Sequence, residues 1–270
     1  MTGSHVKNMK DLSNIRGVLF DLDGVLYVGS TLIEGAPTAI AEIKRRGFSC
    51  RFITNTSTLS RNSLHAKLAI LGLPVEQDEL ISAAQAALLY VQSFDDAVCY
   101  LVLAEDVKKD FAHLKQSDDK ADFVIVGDIG ESWSYPLLNR VFKLLMNGAQ
   151  LIAIHKNRFW QTEQGLQMDI GAFITGLEYA SRKQALIIGK PSPDYFKTAL
   201  MDMGLVAGQV AIVGDDIDSD IGGGQATGLT GILVKTGKYR KAYADQSGIT
   251  PDCLIDSVAN LPDILPNKLQ

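Results

Sequence analysis

The sequence predicts an α/β protein built on a parallel sheet, with a second α/β domain set into the chain. Three observations lead there. Short apolar runs alternate with helical stretches towards both ends of the chain, the mark of consecutive strand–helix–strand units and a parallel sheet. The middle of the chain repeats that alternation with strands of its own, enough for an independent core. Several apolar runs finish in carboxylates, a hydroxyl or a lysine, at the strand ends where open parallel sheets gather their ligands.

Taken in order, residues 17–20 read as the first buried strand, closed by Asp21-Leu22-Asp23-Gly24. Residues 37–46 read as a helix, since Pro37 suits a first turn and Gly47 stops it. A second strand is expected over 48–54, and a second helix over 60–71 ending at Gly72. Beyond that, helices are expected over 79–92 and 135–147, strands over 98–103, 123–126 and 151–154, and a helix near 175–180. After the apolar run at 185–188 the first texture returns, with a helix over 193–203 and strands over 210–213 and 231–234. The expected division is a core of residues 1–79 and 185–270 with an insert of 80–184.

Composition excludes several classes. A chain of 270 residues, 46% apolar and 21% charged, can bury a real core and is not disordered. A net charge of -5 creates no basic field, so nucleic acid is not an expected partner. Cys50, Cys99 and Cys253 lack metal-site spacing, and Cys50 and Cys99, in apolar runs, read as reduced core thiols. No segment approaches the ~18 apolar residues of a membrane span. The first ten residues carry no apolar signal-peptide core, so the expected location is the cytoplasm.

The chemistry lies at the strand ends. In extended chain Asp21 and Asp23 face the same way and can address one bound atom, while Gly24 lets the backbone turn sharply away. One carboxylate can attack an electrophile while the other moves a proton, and a divalent cation keeps both ionised. Thr54-Asn55 offers a hydroxyl and an amide that suit either an anionic oxygen or a turn. Gly189-Lys190-Pro191 holds a lysine between two restricting residues. Gly214-Asp215-Asp216-Ile217-Asp218-Ser219-Asp220 gathers carboxylates that repel one another unless a cation neutralises them, or that start a helix favoured by its dipole. The glycine run at 222–228 does not lead from a strand into a helix start, so it fails as a dinucleotide-binding loop.

The order Asp-x-Asp-Gly-Val (21–25), Thr-Asn (54–55), Gly-Lys-Pro (189–191) and Gly-Asp-Asp-x-x-x-Asp (214–220) resembles the haloacid dehalogenase superfamily of phosphohydrolases. The resemblance is to its subclass IIA, with a large α/β cap between the second and third motifs, and it covers residues 16–261. Residues 189–193 and 220–240 are most similar to the subgroup that includes phospholysine phosphohistidine inorganic pyrophosphate phosphatases. The resemblance implies a Rossmann-like parallel-sheet core with an inserted α/β cap of the C2 type. It implies a phosphatase acting on a small phosphorylated molecule, with Asp21 as nucleophile and Asp23 as acid and base. Mg2+ is the implied cofactor, held by Asp21, the Asp23 backbone carbonyl and Asp215, with Asp216 and Asp220 as nearby or water-mediated partners whose roles stay unseparated. Thr54 and Asn55 would bind the phosphoryl group, and Lys190 would offset its charge.

In the insert, His155, Asn157 and Asp169 are the candidates for substrate selection, with packing of the cap as the alternative role of His155. Relatives dimerise through the cap, and residues 98–103 are the expected edge strand for it. A phospho-accepting signalling domain is disfavoured, since it has no inserted cap and lacks a second acid two residues past the acceptor. A non-catalytic Mg2+- and phosphate-binding regulator on the same fold is the remaining alternative; the complete set of motifs speaks against it.

Overall fold

The computed structural model describes residues 11–162 and 165–267. The first ten residues, with the expectation placed on them, lie outside the described residues. The chain forms two compact units, one of Met1–Ile53, Leu71–Val75 and Phe196–Gln270, the other of Thr54–Ile70 and Glu76–Tyr195.

In the first unit the strands run parallel in the order Cys253–Ile255, Thr230–Val234, Val210–Gly214, Gly17–Asp21, Ser49–Thr54. Every residue of the Gly17–Asp21, Val210–Gly214 and Thr230–Val234 strands is buried, which is why these runs read as continuously apolar. Gly17 stands opposite both Val210 and Ser49, so Asp21 and Gly214 come out at the carboxyl ends of neighbouring strands. The helix Ala36–Arg45 has proline in its first turn and Lys44 and Arg45 in its last, and buries Ala36, Ala39, Ile40 and Ile43. The Cys253–Ile255 strand was not expected; three residues carry too little periodicity to read.

The second unit holds a parallel sheet in the order Leu186–Ile187, Gln150–Ala153, Phe123–Val126, Val98–Val102, Lys115–Gln116. This corrects the expectation that residues 98–103 form an edge. The chain turns back after Glu105–Lys108, and Lys115–Gln116 pairs with Val98 and Cys99, placing Val98–Val102 inside the sheet. Helices Tyr135–Met146 and Gly171–Ser181 bury Val141, Leu144, Leu145, Ile174 and Leu177 in one cluster with Val124 and Leu151. The second of these helices begins four residues before the expected 175: Gly171 donates its N–H to the Asn157 carbonyl at 3.0 Å. A Cβ there would lie 2.4 Å from that oxygen, so the close approach requires glycine. The helix expected over 79–92 is shorter. Leu80–Ser82 is a strand, and the Ser82 hydroxyl accepts the Gln85 N–H at 3.1 Å to start the helix Ala83–Gln92. Among the described residues no helix is long and apolar enough to cross a membrane. Cys50, Cys99 and Cys253 are buried free thiols, and burial pushes Cys99 up to about 11.

Candidate active site

Asp21, Asp215 and Asp220 each place a carboxylate oxygen within 4.8 Å of the others, and all three are buried. Strand ends and glycines bring them there. Asp21 closes its strand, and Asp215 follows Gly214 at the end of the next. Gly24 turns back with φ 86°, and a Cβ on it would lie 1.8 Å from Asp215 Oδ2. Gly237, at φ 56°, approaches the same oxygen from the loop after Thr230–Val234, where a Cβ would lie 2.0 Å away. That loop is tied down at two points: the Thr236 hydroxyl donates to the Gly24 carbonyl at 2.5 Å, and the Lys238 N–H donates to Asp215 Oδ2 at 2.6 Å.

The donor set fits a hard divalent cation. Asp215 Oδ1 is buried and meets no hydrogen-bond donor among the described residues, an acceptor that native interiors rarely leave unmet. Burial pushes the Asp215 carboxyl well above the usual carboxylate range; Lys238 opposes this, and the charges of Asp21 and Asp220 add to it. Three convergent oxygen donors with a residual negative charge are what Mg2+ requires from protein, since it keeps several waters beside a few carboxylates.

The acidic run divides its labour. Asp216 Oδ1 accepts the N–H groups of Asp218 and Ser219 at 3.0 Å, capping the π-helical turn Ile217–Gly222, and its Oδ2 lies 3.2 Å from Lys238 Nζ. Burial works against the Asp216 charge, but Lys238 and the capping bonds hold its carboxyl below the usual range. Asp220 reaches back instead, its Oδ2 accepting the Asp216 N–H at 3.1 Å. The Asp216 carbonyl accepts from both Asp220 and Ile221, the wide winding that turns Asp220 inward. Asp23 is part-buried beside the Gly24–Tyr27 turn, where the Gly24 N–H donates to the Tyr27 carbonyl at 2.7 Å.

In the second unit the structure joins Thr54, Asn55 and Lys190. Asn55 clasps the Lys190 backbone from both sides, Oδ1 accepting its N–H and Nδ2 donating to its carbonyl, each at 2.9 Å. Asn55 Nδ2 also lies 3.4 Å from Asn157 Oδ1. Tyr195 fixes Thr54, its hydroxyl accepting the Thr54 N–H at 3.2 Å, donating to the Ile81 carbonyl at 2.5 Å and lying 3.1 Å from the Thr54 carbonyl. His155 and Asp169 are both buried, with 3.9 Å between Nδ1 and Oδ2. His155 Nδ1 lies 3.4 Å from the Asn157 nitrogen, and Nε2 lies 3.3 Å from the Ser57 hydroxyl. Ser57 in turn accepts the Asp128 N–H at 2.8 Å.

Lys238, Ser57 and Tyr195 were missed as partners of these groups. For Lys238 a signal existed: Thr236-Gly237-Lys238 follows the end of a buried strand, as Asp21 and Asp215 do. Ser57 and Tyr195 stand in no pattern that points to a site.

Parallel strands carrying acids at their carboxyl ends, with a second α/β unit that carries Thr54, Asn55 and Lys190, define a hydrolase of the haloacid dehalogenase kind. The haloacid dehalogenase-like hydrolase family model matches residues 18–115, and a second, HAD-hydrolase-like, matches 187–261. The chain is 36% identical over 262 residues to the phospholysine phosphohistidine inorganic pyrophosphate phosphatase of Homo sapiens, covering 95% of this chain and 96% of that protein. It is also 36% identical to the haloacid dehalogenase-like hydrolase domain-containing protein 2 of Bos taurus, over 92% of this chain and 95% of that one. Among solved structures it is similar to a p-nitrophenyl phosphatase from Archaeoglobus fulgidus, with TM-score 0.85, 28% identity, and coverage of 93% and 99%. NagD from E. coli K-12 matches with TM-score 0.79 and 27% identity, over 91% and 97%. The chain belongs to the haloacid dehalogenase-like hydrolases, subclass IIA.

Proposed function

We propose that the protein is a Mg2+-dependent phosphatase that cleaves a small phosphorylated metabolite through an aspartyl-phosphate on Asp21. The observation that carries this reading is the buried group of Asp21, Asp215 and Asp220 with its unmet Asp215 Oδ1. The side chains of Asp21 and Asp215 and the backbone carbonyl of Asp23 would hold Mg2+, with Asp220 beside them. When bound, the ion supplies charge stabilisation to the phosphoryl oxygens. An Asp21 carboxylate oxygen attacks phosphorus in line as the bond to the leaving oxygen breaks, and Asp23 gives that oxygen its proton. Asp23 then takes a proton from the water that attacks the aspartyl-phosphate, releasing phosphate and restoring Asp21. Thr54 and Asn55 are assigned to the transferring phosphoryl group and Lys190 to its charge. The Asn55 clasp supports a positioning part for that side chain, since its amide is committed to Lys190.

The domain assignment proposed is a catalytic core of residues 1–79 and 185–270 and a specificity insert of 80–184, with His155, Asn157 and Asp169 selecting substrate. The human relative's name supports a substrate with a P–N or P–O–P bond. A cytoplasmic homodimer joined through the insert, with neither nucleic acid nor membrane as partner, completes the proposal.

Phosphate release from 4-nitrophenyl phosphate, with and without Mg2+, tests it. Wild type should turn over only with the metal, and Asp21→Asn should lose more than about a thousandfold in rate. Turnover indifferent to the metal, or retained by Asp21→Asn, overturns the reading.

A further inference from the structure

Beside the carboxylate cluster stands a part-buried charge, Lys238, to which the phosphatase reading gives no role. The Lys238 side chain is only 15% exposed, and its Nζ lies 3.2 Å from Asp216 Oδ2. Asp216, Asp215, Asp21 and Asp220 all act on it electrostatically, and although burial disfavours its charge these four carboxylates hold the ammonium firmly protonated. Its backbone is tied separately, by the N–H that donates to Asp215 Oδ2. The loop that carries it is tied down by the Thr236 hydroxyl, which donates to the Gly24 carbonyl at 2.5 Å, and it packs so closely that a Cβ on Gly237 would lie 2.4 Å from the Gly24 Cα.

We infer that Lys238 is a built-in counter-cation of the cluster, holding the carboxylates together in the metal-free protein and weakening the grip of the divalent ion that joins them. The inference rests on the Mg2+ reading of the site and adds a residue that sets how tightly the ion is held. The physical argument has two sides. Like charges gathered in a buried place destabilise the fold unless a cation offsets them, so the ammonium supports the metal-free state. A fixed positive charge on the same carboxylates also repels an incoming divalent cation. One side chain therefore stabilises the empty site and lowers metal affinity. A purely structural tie between Lys238 and Asp216 would do only the first.

The main-chain N–H bond to Asp215 survives any substitution except proline, so side-chain variants isolate the charge. Lys238→Met keeps the stem without the ammonium, and Lys238→Arg keeps the charge. The experiment is calorimetric titration of each metal-free protein with MgCl2, beside its melting temperature in EDTA. Lys238→Met should melt about 3 °C lower in EDTA and bind Mg2+ about tenfold more tightly. Lys238→Arg should stay within about twofold of wild type on the same charge argument. Unchanged or weaker Mg2+ affinity in folded Lys238→Met overturns the inference and leaves the phosphatase reading intact. No binding heat in wild type overturns both. Should Lys238→Met fail to fold without metal, Lys238→Gln serves, because the amide keeps a polar end towards Asp216 while removing the charge. It should bind Mg2+ about tenfold more tightly, and unchanged or weaker binding overturns the inference.

Discussion

Individual side chains divide into those that present a free face to chemistry and those that hold the presenters in place, and residue type alone does not separate them. Asn55 is of the second kind. Its amide reproduces a two-bond strand pairing with the Lys190 backbone, satisfying a buried N–H and a buried carbonyl together. Asn55→Ala orphans both groups and is expected to cost about 2–3 kcal/mol in urea unfolding. The released Lys190 should also raise KM for a phosphate ester by roughly tenfold. Asn55→Asp keeps the acceptor but sets a buried carboxylate oxygen against the Lys190 carbonyl, so it should also melt below wild type; stability of Asn55→Ala equal to wild type would remove the positioning role. Asp216 and Asp220 make the same point. In the sequence they are members of one acidic run, and only the winding of Ile217–Gly222 turns one to cap its own helical turn and the other towards Asp21.

At the level of elements, one helix shows why long-range partners escape a linear reading. Arg61–Ile70 has its first amides met by side chains far along the chain: Asp106 Oδ2 accepts the Ser60 N–H at 2.7 Å and Asp110 Oδ2 the Arg61 N–H at 2.9 Å. The hydrogen bond from Lys109, then that from Ser60, holds the Asp106 carboxyl well below its usual range. A depressed folded pKa contributes stability above the unfolded value near ~3.9, and that contribution fades as pH falls through the folded value. Asp106→Ala should therefore cost about 1 kcal/mol at neutral pH. The gap in melting temperature between variant and wild type should narrow below about pH 4, whereas a gap constant from pH 7 to pH 3 would mean the side chain acts by packing. Helices bounded by proline and glycine, such as Ala36–Arg45, were legible because those residues act on their own backbone. Leu80–Ser82 was not, since its apolar residues suit strand and helix equally and pairing decides. The Lys115–Gln116 strand carries no apolar signal, so the cover on Val98–Val102 was unreadable.

Across the whole molecule, the order of four motifs was enough to read the family, because each motif sits where a strand ends. What order cannot convey is the electrostatic state of the carboxylate group, which depends on burial. Asp215 is 2% exposed and Asp220 fully buried, and one Asp215 oxygen meets no donor among the described residues. The cluster thus carries an unfavourable charge arrangement that a divalent ion would relieve in the folded state alone, since the unfolded chain scatters these aspartates. A ligand that binds only the folded form adds RT ln(1 + [L]/Kd), about 2.7 kcal/mol at a hundred times Kd. For a chain of this size that corresponds to roughly 5–10 °C in melting temperature. Melting in EDTA and in rising MgCl2 should trace that logarithmic rise, with NaCl at matched ionic strength leaving the temperature nearly unchanged. The rise should shrink in Asp215→Asn, which keeps the side chain's shape and its acceptor for Lys238 while removing the charge. Equal melting temperatures in EDTA and saturating Mg2+ would mean that the buried carboxylates are neutralised from within the chain, by protons or by Lys238, and that the site is not built around a divalent ion.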